Sequence, residues 1–92
     1  MRILGDESGS GWVVDDAAEP ISVDYRLKII ESAGARSGGG SLKGASLGVM
    51  FALMERAESV LRLEDGREVT IVVDGATSAG ATFQTSGPVP GY

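Results

Sequence analysis

The sequence predicts an α+β fold: a small antiparallel sheet, or a partly open β-barrel, of about five strands with one helix over residues 49–58. Three observations lead there. Residues 21–30 alternate apolar and polar with a period of two. Residues 49–58 carry a single apolar stripe at helical spacing. A Glu64-Asp65-Gly66 turn separates two alternating apolar segments. The 92-residue length allows one domain and only a modest core.

Taken in order, residues 1–11 contain Gly5-Asp6-Glu7-Ser8-Gly9-Ser10-Gly11 and read as a flexible acidic N-terminal stretch. Trp12-Val13-Val14 forms a short strand ending at Asp15-Asp16, and a turn follows over 17–20. Pro20 biases Glu19 away from helix, so the next element starts near Ile21. In 21–30, Ile21, Val23, Tyr25, Leu27 and Ile29 share one face of a half-buried strand, and Ser22, Asp24, Arg26 and Lys28 share the other. Gly38-Gly39-Gly40 reads as a loop, because three glycines lose much backbone entropy in a regular element. Ser41–Leu47 gives a weak strand bent at Gly44. Met50, Leu53, Met54 and Ala57 form the apolar stripe of the helix, with Glu55, Arg56 and Glu58 opposite.

The hairpin register follows from burial. A two-residue Asp-Gly loop would set Leu63 opposite Glu68 and split the apolar residues between faces. A three-residue loop, Glu64-Asp65-Gly66, pairs Leu61 with Val69 and Leu63 with Arg67. It gathers Leu61, Leu63, Val69, Ile71 and Val73 on one face, with Gly66 left-handed in a bulge. Residues 81–85 form a last strand with Phe83 inward, and 87–92 an extended tail. A helix between the third and fourth strands resembles the OB-fold barrels in topology, though no motif accompanies it.

Composition excludes several functions. The chain has no cysteine and no histidine. Disulfides, thiolate nucleophiles and cysteine-held metals are therefore out, as are histidine-based triads and metal sites. The reading is of a non-catalytic protein with no cofactor and no metal. Gly44-Ala45-Ser46-Leu47-Gly48 spells the nucleophile-elbow pattern, but the chain lacks the histidine and the large sheet that pattern requires. Ser46 reads instead as a helix cap. Lys43 precedes Gly44 and does not complete a phosphate-loop motif. Asp15, Asp16, Glu19 and Asp24 could gather round a hard cation, but they lack calcium-loop spacing.

The net charge of −5 resides in residues 1–24, where six acids face Arg2 alone; residues 25–92 hold seven acids and seven bases. This acidity disfavours nucleic-acid binding and marks residues 1–24 as a surface for a basic protein partner. The leading function is a small binding and assembly module that self-associates as a homo-oligomer through edge strands, 21–30 and 81–85 being the expected edges. Trp12 is the candidate interface anchor. The alternatives are a small-ligand pocket between helix and sheet lined by Tyr25, Met50, Met54 and Phe83, and a weak nucleic-acid-binding barrel using Arg26, Lys28, Arg62 and Arg67. No apolar run is long enough for a membrane helix, and the acidic start does not resemble a signal peptide. With the lack of cysteine, these predict a cytoplasmic protein. Six arginines against two lysines, with abundant Gly and Ala, suggest a bacterial source.

Overall fold

In a computed structural model describing residues 1–14 and 19–92, the chain is α+β, with six antiparallel strands and one helix among the described residues. The elements are β1 (Arg2–Val14), β2 (Ile21–Ser32), β3 (Ala35–Lys43), α1 (Leu47–Met54), β4 (Ser59–Arg62), β5 (Glu68–Thr77) and β6 (Gly80–Thr85). The strands close in the order β1-β2-β3-β6-β5-β4, as two three-strand meanders joined by α1. The α+β expectation holds; the strands number six and their ring closes, where about five and partial closure were expected.

The alternation of β2 behaves as read. Val23, Tyr25, Leu27 and Ile29 are buried while Ser22, Asp24, Arg26 and Lys28 are exposed. The β4–β5 hairpin also takes the expected register. Leu61 pairs with Val69, the Leu63 amide donates to the Arg67 carbonyl at 2.7 Å, and Gly66 has φ +95°. Leu61, Leu63, Val69, Ile71 and Val73 are all buried on one face.

The glycine-rich segments behave differently. Residues 5–11, expected to be flexible, lie within β1, and Gly38–Gly40, expected in a loop, lie within β3. The cause is close approach. A side chain at Gly40 would overlap the Arg26 carbonyl oxygen, and one at Gly38 would press Ile29 and Thr85. In β1 the alternation is present, with glycine standing at inward positions. Gly5, Gly9 and Gly11 face Tyr92, Tyr25 and the Arg62 carbonyl, while Asp6, Ser8 and Ser10 are exposed. Glycine's entropic cost is offset by strand pairing and by the room it leaves for those neighbours. The reversal before β3 is a tight turn at Ala33-Gly34, both with positive φ.

Helix α1 starts two residues earlier and ends four earlier than the predicted 49–58. Ser46 caps it, its Oγ accepting from the Val49 amide at 3.2 Å. At the other end, the Glu55 and Arg56 amides tighten onto the Ala52 and Leu53 carbonyls, and the chain then enters β4 at Ser59. Met50 and Leu53 plug one end of the barrel. Val89 and Tyr92 of the tail pack on the core at the opposite end, where the β4–β5 hairpin also lies.

Candidate functional site

Ring closure rests on few pairs. β1 runs for 13 residues and pairs with β2 along nearly its whole length, from Arg2 to Val13. On its other side it meets β4 only at Trp12, Val13 and Val14. Among the described residues, 2–11 therefore form a strand edge with a single neighbouring strand, about 30 Å long at the usual rise per residue. By contrast, β2 lies between β1 and β3, and β6 between β3 and β5. The strands expected to be edges, 21–30 and 81–85, are thus paired on both sides. The open edge belongs to the segment read as flexible. Its register with β2 is irregular between Ile3 and Gly5.

The charges around this edge are internally compensated. Asp6 accepts from Arg26 Nη2 at 3.2 Å and Nε at 3.4 Å, and Arg2 pairs with Glu31 at 3.1 Å. The bond from Arg26 holds the Asp6 carboxyl below its ordinary pKa. On the inner face Glu7 is half-buried and pairs with Arg67, 60 residues away in sequence. Arg67 also donates from Nε to Asp65 at 2.7 Å and from Nη1 to the Pro90 carbonyl at 2.9 Å. The Tyr92 hydroxyl donates to the second oxygen of Glu7 at 2.8 Å. The acidic first quarter is thus partly neutralised by bases from later strands, and Asp24 accepts a further bond from Ser10.

Comparison with protein-family models, with curated proteins and with solved structures yields no match.

Of the four residues grouped as pocket candidates, Tyr25, Met50 and Phe83 lie in one buried core cluster and Met54 lies outside it. Met50 and Phe83 are core residues, 1% and 2% exposed. Tyr25 is buried with its hydroxyl accepting from the Glu64 amide at the hairpin end. Met54 faces outward with Leu47 and Phe51, because the inward face of α1 is set by Met50 and Leu53. Trp12 is 42% exposed on the outer surface, opposite Arg62 of β4 and Ser22 of β2.

Of the cations considered for nucleic acid, Arg26 and Lys28 share the exposed face of β2, and most of the set is paired with acids. Arg26 is tied to Asp6, Arg62 to Glu68 at 3.0 Å, and Arg67 to Glu7 and Asp65. Lys43 lies at the end of β3, opposite Asp24. Of the proposed cation cluster, Asp15 and Asp16 lie outside the described residues, as do residues 17 and 18 of the turn at 17–20; no group of three acids suited to a metal occurs among the described residues. No helix among these residues is long and apolar enough to cross a membrane.

What sequence reading missed is the edge itself and the Glu7–Arg67–Tyr92 cluster beneath it. The alternation of Gly5, Gly9, Gly11 and Val13 with Asp6, Ser8, Ser10 and Trp12 carried a signal for the first. Nothing local signals the second.

Proposed function

We propose that this chain is a non-catalytic assembly module that joins a second copy of itself through the open edge of β1. The observation that supports this most is the ten-residue stretch, 2–11, with a strand on one side only. Such an edge offers a row of backbone donors and acceptors to any strand laid beside it. Two copies related by a twofold axis satisfy each other's edges in an antiparallel, isologous contact. The stretch contains no proline and no lysine, two common protections of exposed edges. A pairing centred on Gly5 sets Arg2 opposite Ser8 of the second copy and Leu4 opposite Asp6. No like charges then face each other, and the added strand stops short of β4. The lack of cysteine fits assembly in the reducing cytoplasm.

Sedimentation equilibrium from micromolar to millimolar concentration tests the reading. A monomer–dimer equilibrium is expected, with alternate β1 amides gaining hydrogen-exchange protection as concentration rises. Ser8→Lys places a lysine opposite Arg2 twice per dimer and should weaken association roughly three- to tenfold. A strict monomer at high micromolar concentration would overturn the reading. The exposed side of α1, with Leu47, Phe51 and Met54 at 43%, 49% and 37% exposure, supports a second reading in which the helix is the joint. Association untouched by Ser8→Lys and lost in Phe51→Glu would favour that second reading.

A further inference from the structure

The chain's tail is bound to the barrel as a ligand is bound to a site. After β6, residues 86–92 contain two prolines and two glycines with positive φ, and they form no strand or helix. The backbone of this segment makes one direct hydrogen bond to barrel backbone, from the Ser86 amide to the Thr70 carbonyl at 2.8 Å. Its other polar anchors are side-chain recognition. The Arg67 guanidinium donates to the Pro90 carbonyl, and the Tyr92 phenol donates to Glu7. The Tyr92 ring fills the space under Gly5, where any side chain would overlap it. A cavity of about 120 Å³ remains between tail and barrel, bordered by Ile29, Thr85, Val89 and Tyr92.

The receiving half of this contact is also held by residues of the barrel. Asp65 fixes Arg67 twice, accepting its backbone amide at 3.0 Å and its Nε at 2.7 Å, and Glu7 holds a third side of the guanidinium. Arg67 and Glu7, paired with each other, thus offer a donor and an acceptor beside the space that β1 leaves at Gly5. A site organised before its occupant arrives binds that occupant at lower entropic cost.

We infer that the hairpin end of the barrel is a recognition site for tyrosine-bearing, proline-containing segments, and that the chain's own residues 86–92 occupy it in cis. The phenol donates a hydrogen bond to the Glu7 carboxylate, the residue two positions before it offers a carbonyl to Arg67, and a proline-restricted backbone limits the freedom lost on docking. The same segment supplied from another molecule meets the same groups.

The test uses full-length Tyr92→Ala and a capped peptide of sequence Ser86–Tyr92, followed by amide shifts of Gly5, Glu7 and Arg67. Saturable shifts are expected at these three residues. A peptide ending in Phe should bind roughly tenfold more weakly, through loss of the charge-assisted hydroxyl bond. The unmodified chain should bind the peptide more weakly than the variant, because its own tethered tail competes at millimolar effective concentration. Failure of saturable shifts in both proteins at millimolar peptide would overturn the inference. Should Tyr92→Ala prove unfolded by circular dichroism, the unmodified chain decides. Displacement of its Tyr92 ring signals by excess peptide supports the site, and their persistence overturns it. Dimerisation through β1 is read separately by sedimentation, so the two ideas fail independently.

Discussion

The two ends of the barrel are closed by opposite means. At one end α1, eight residues without a charge, inserts Met50 and Leu53 into the core and presents Leu47, Phe51 and Met54 outside. At the other, the tail contributes two half-buried residues, Val89 and Tyr92, and is held by ionic and hydrogen-bonded contacts among Glu7, Asp65 and Arg67. Buried apolar area contributes stability in proportion to its amount and has no directional demand. Partly exposed charge pairs contribute little net stability but fix geometry. The helix end should therefore dominate the free energy of folding, and the hairpin end should dominate specificity and pH response.

The largest expected effect lies at the helix end. Leu53 is 2% exposed, and Leu53→Ala should destabilise the fold by about 2–5 kcal/mol, as large-to-small core substitutions do. Val89→Ala at the other end removes a partly buried side chain and should cost about 1 kcal/mol. Urea denaturation of both variants compares them directly. Equal losses would break the contrast and make the tail as much a part of the core as the helix.

An intermediate effect is expected in the β4–β5 turn, which sets where Asp65 and Arg67 stand. Gly66 has φ +95°, and a β-branched residue there is strained however open the surrounding space. Gly66→Val should cost about 1–3 kcal/mol. Asp65→Ala removes exposed bonds to Arg67 and should cost less. Thermal melts of the pair settle the order; equal shifts would argue that the turn is held by its ion pair and not by its backbone.

These contrasts also show what a single sequence reveals. β2 and the β4–β5 hairpin were legible because large apolar side chains mark the buried face, and a one-residue slip would expose them all. Of β1 and β3 only the ends, 12–14 and 41–43, were legible as strand; in the rest glycine occupies inward positions and looks like a breaker when its neighbours are unknown. The glycines of β3 make sense only once the Arg26 carbonyl, Ile29 and Thr85 are in place beside them. For the same reason the edge was assigned to the wrong strands: 21–30 looked complete, while the true edge lay in a segment read as flexible. Tyr25, Met50 and Phe83 drew notice as pocket residues, but in a domain this small large apolar residues are needed to fill the core. Glu7 and Arg67 are legible as charges anywhere; only the fold joins them, with Tyr92, at one end.

The smallest expected effect is the pH response, and it separates the two ends most cleanly because α1 contains no titratable side chain. The backbone N–H of Arg67, reinforced by its guanidinium, holds the Asp65 carboxyl below its ordinary pKa. A carboxyl depressed in the folded state contributes stability above its unfolded value, near ~3.9, and loses it as pH falls through the folded one. The Tyr92 phenol is shifted the other way, chiefly by its bond to the Glu7 carboxylate and then by burial. Its stabilising form is the protonated one, so that contribution is complete below ~10 and is lost as pH rises through the higher folded value. Stability measured from strongly acidic to strongly alkaline pH should therefore show a plateau with two shoulders owed in part to the hairpin end. Asp65→Asn should reduce the acid shoulder, to which Asp6 also contributes, and leave the alkaline one; Tyr92→Phe should reduce the alkaline one alone. Leu53→Ala should lower the whole curve without changing its shape, and a change of shape in that variant would show that the two ends are coupled through the core.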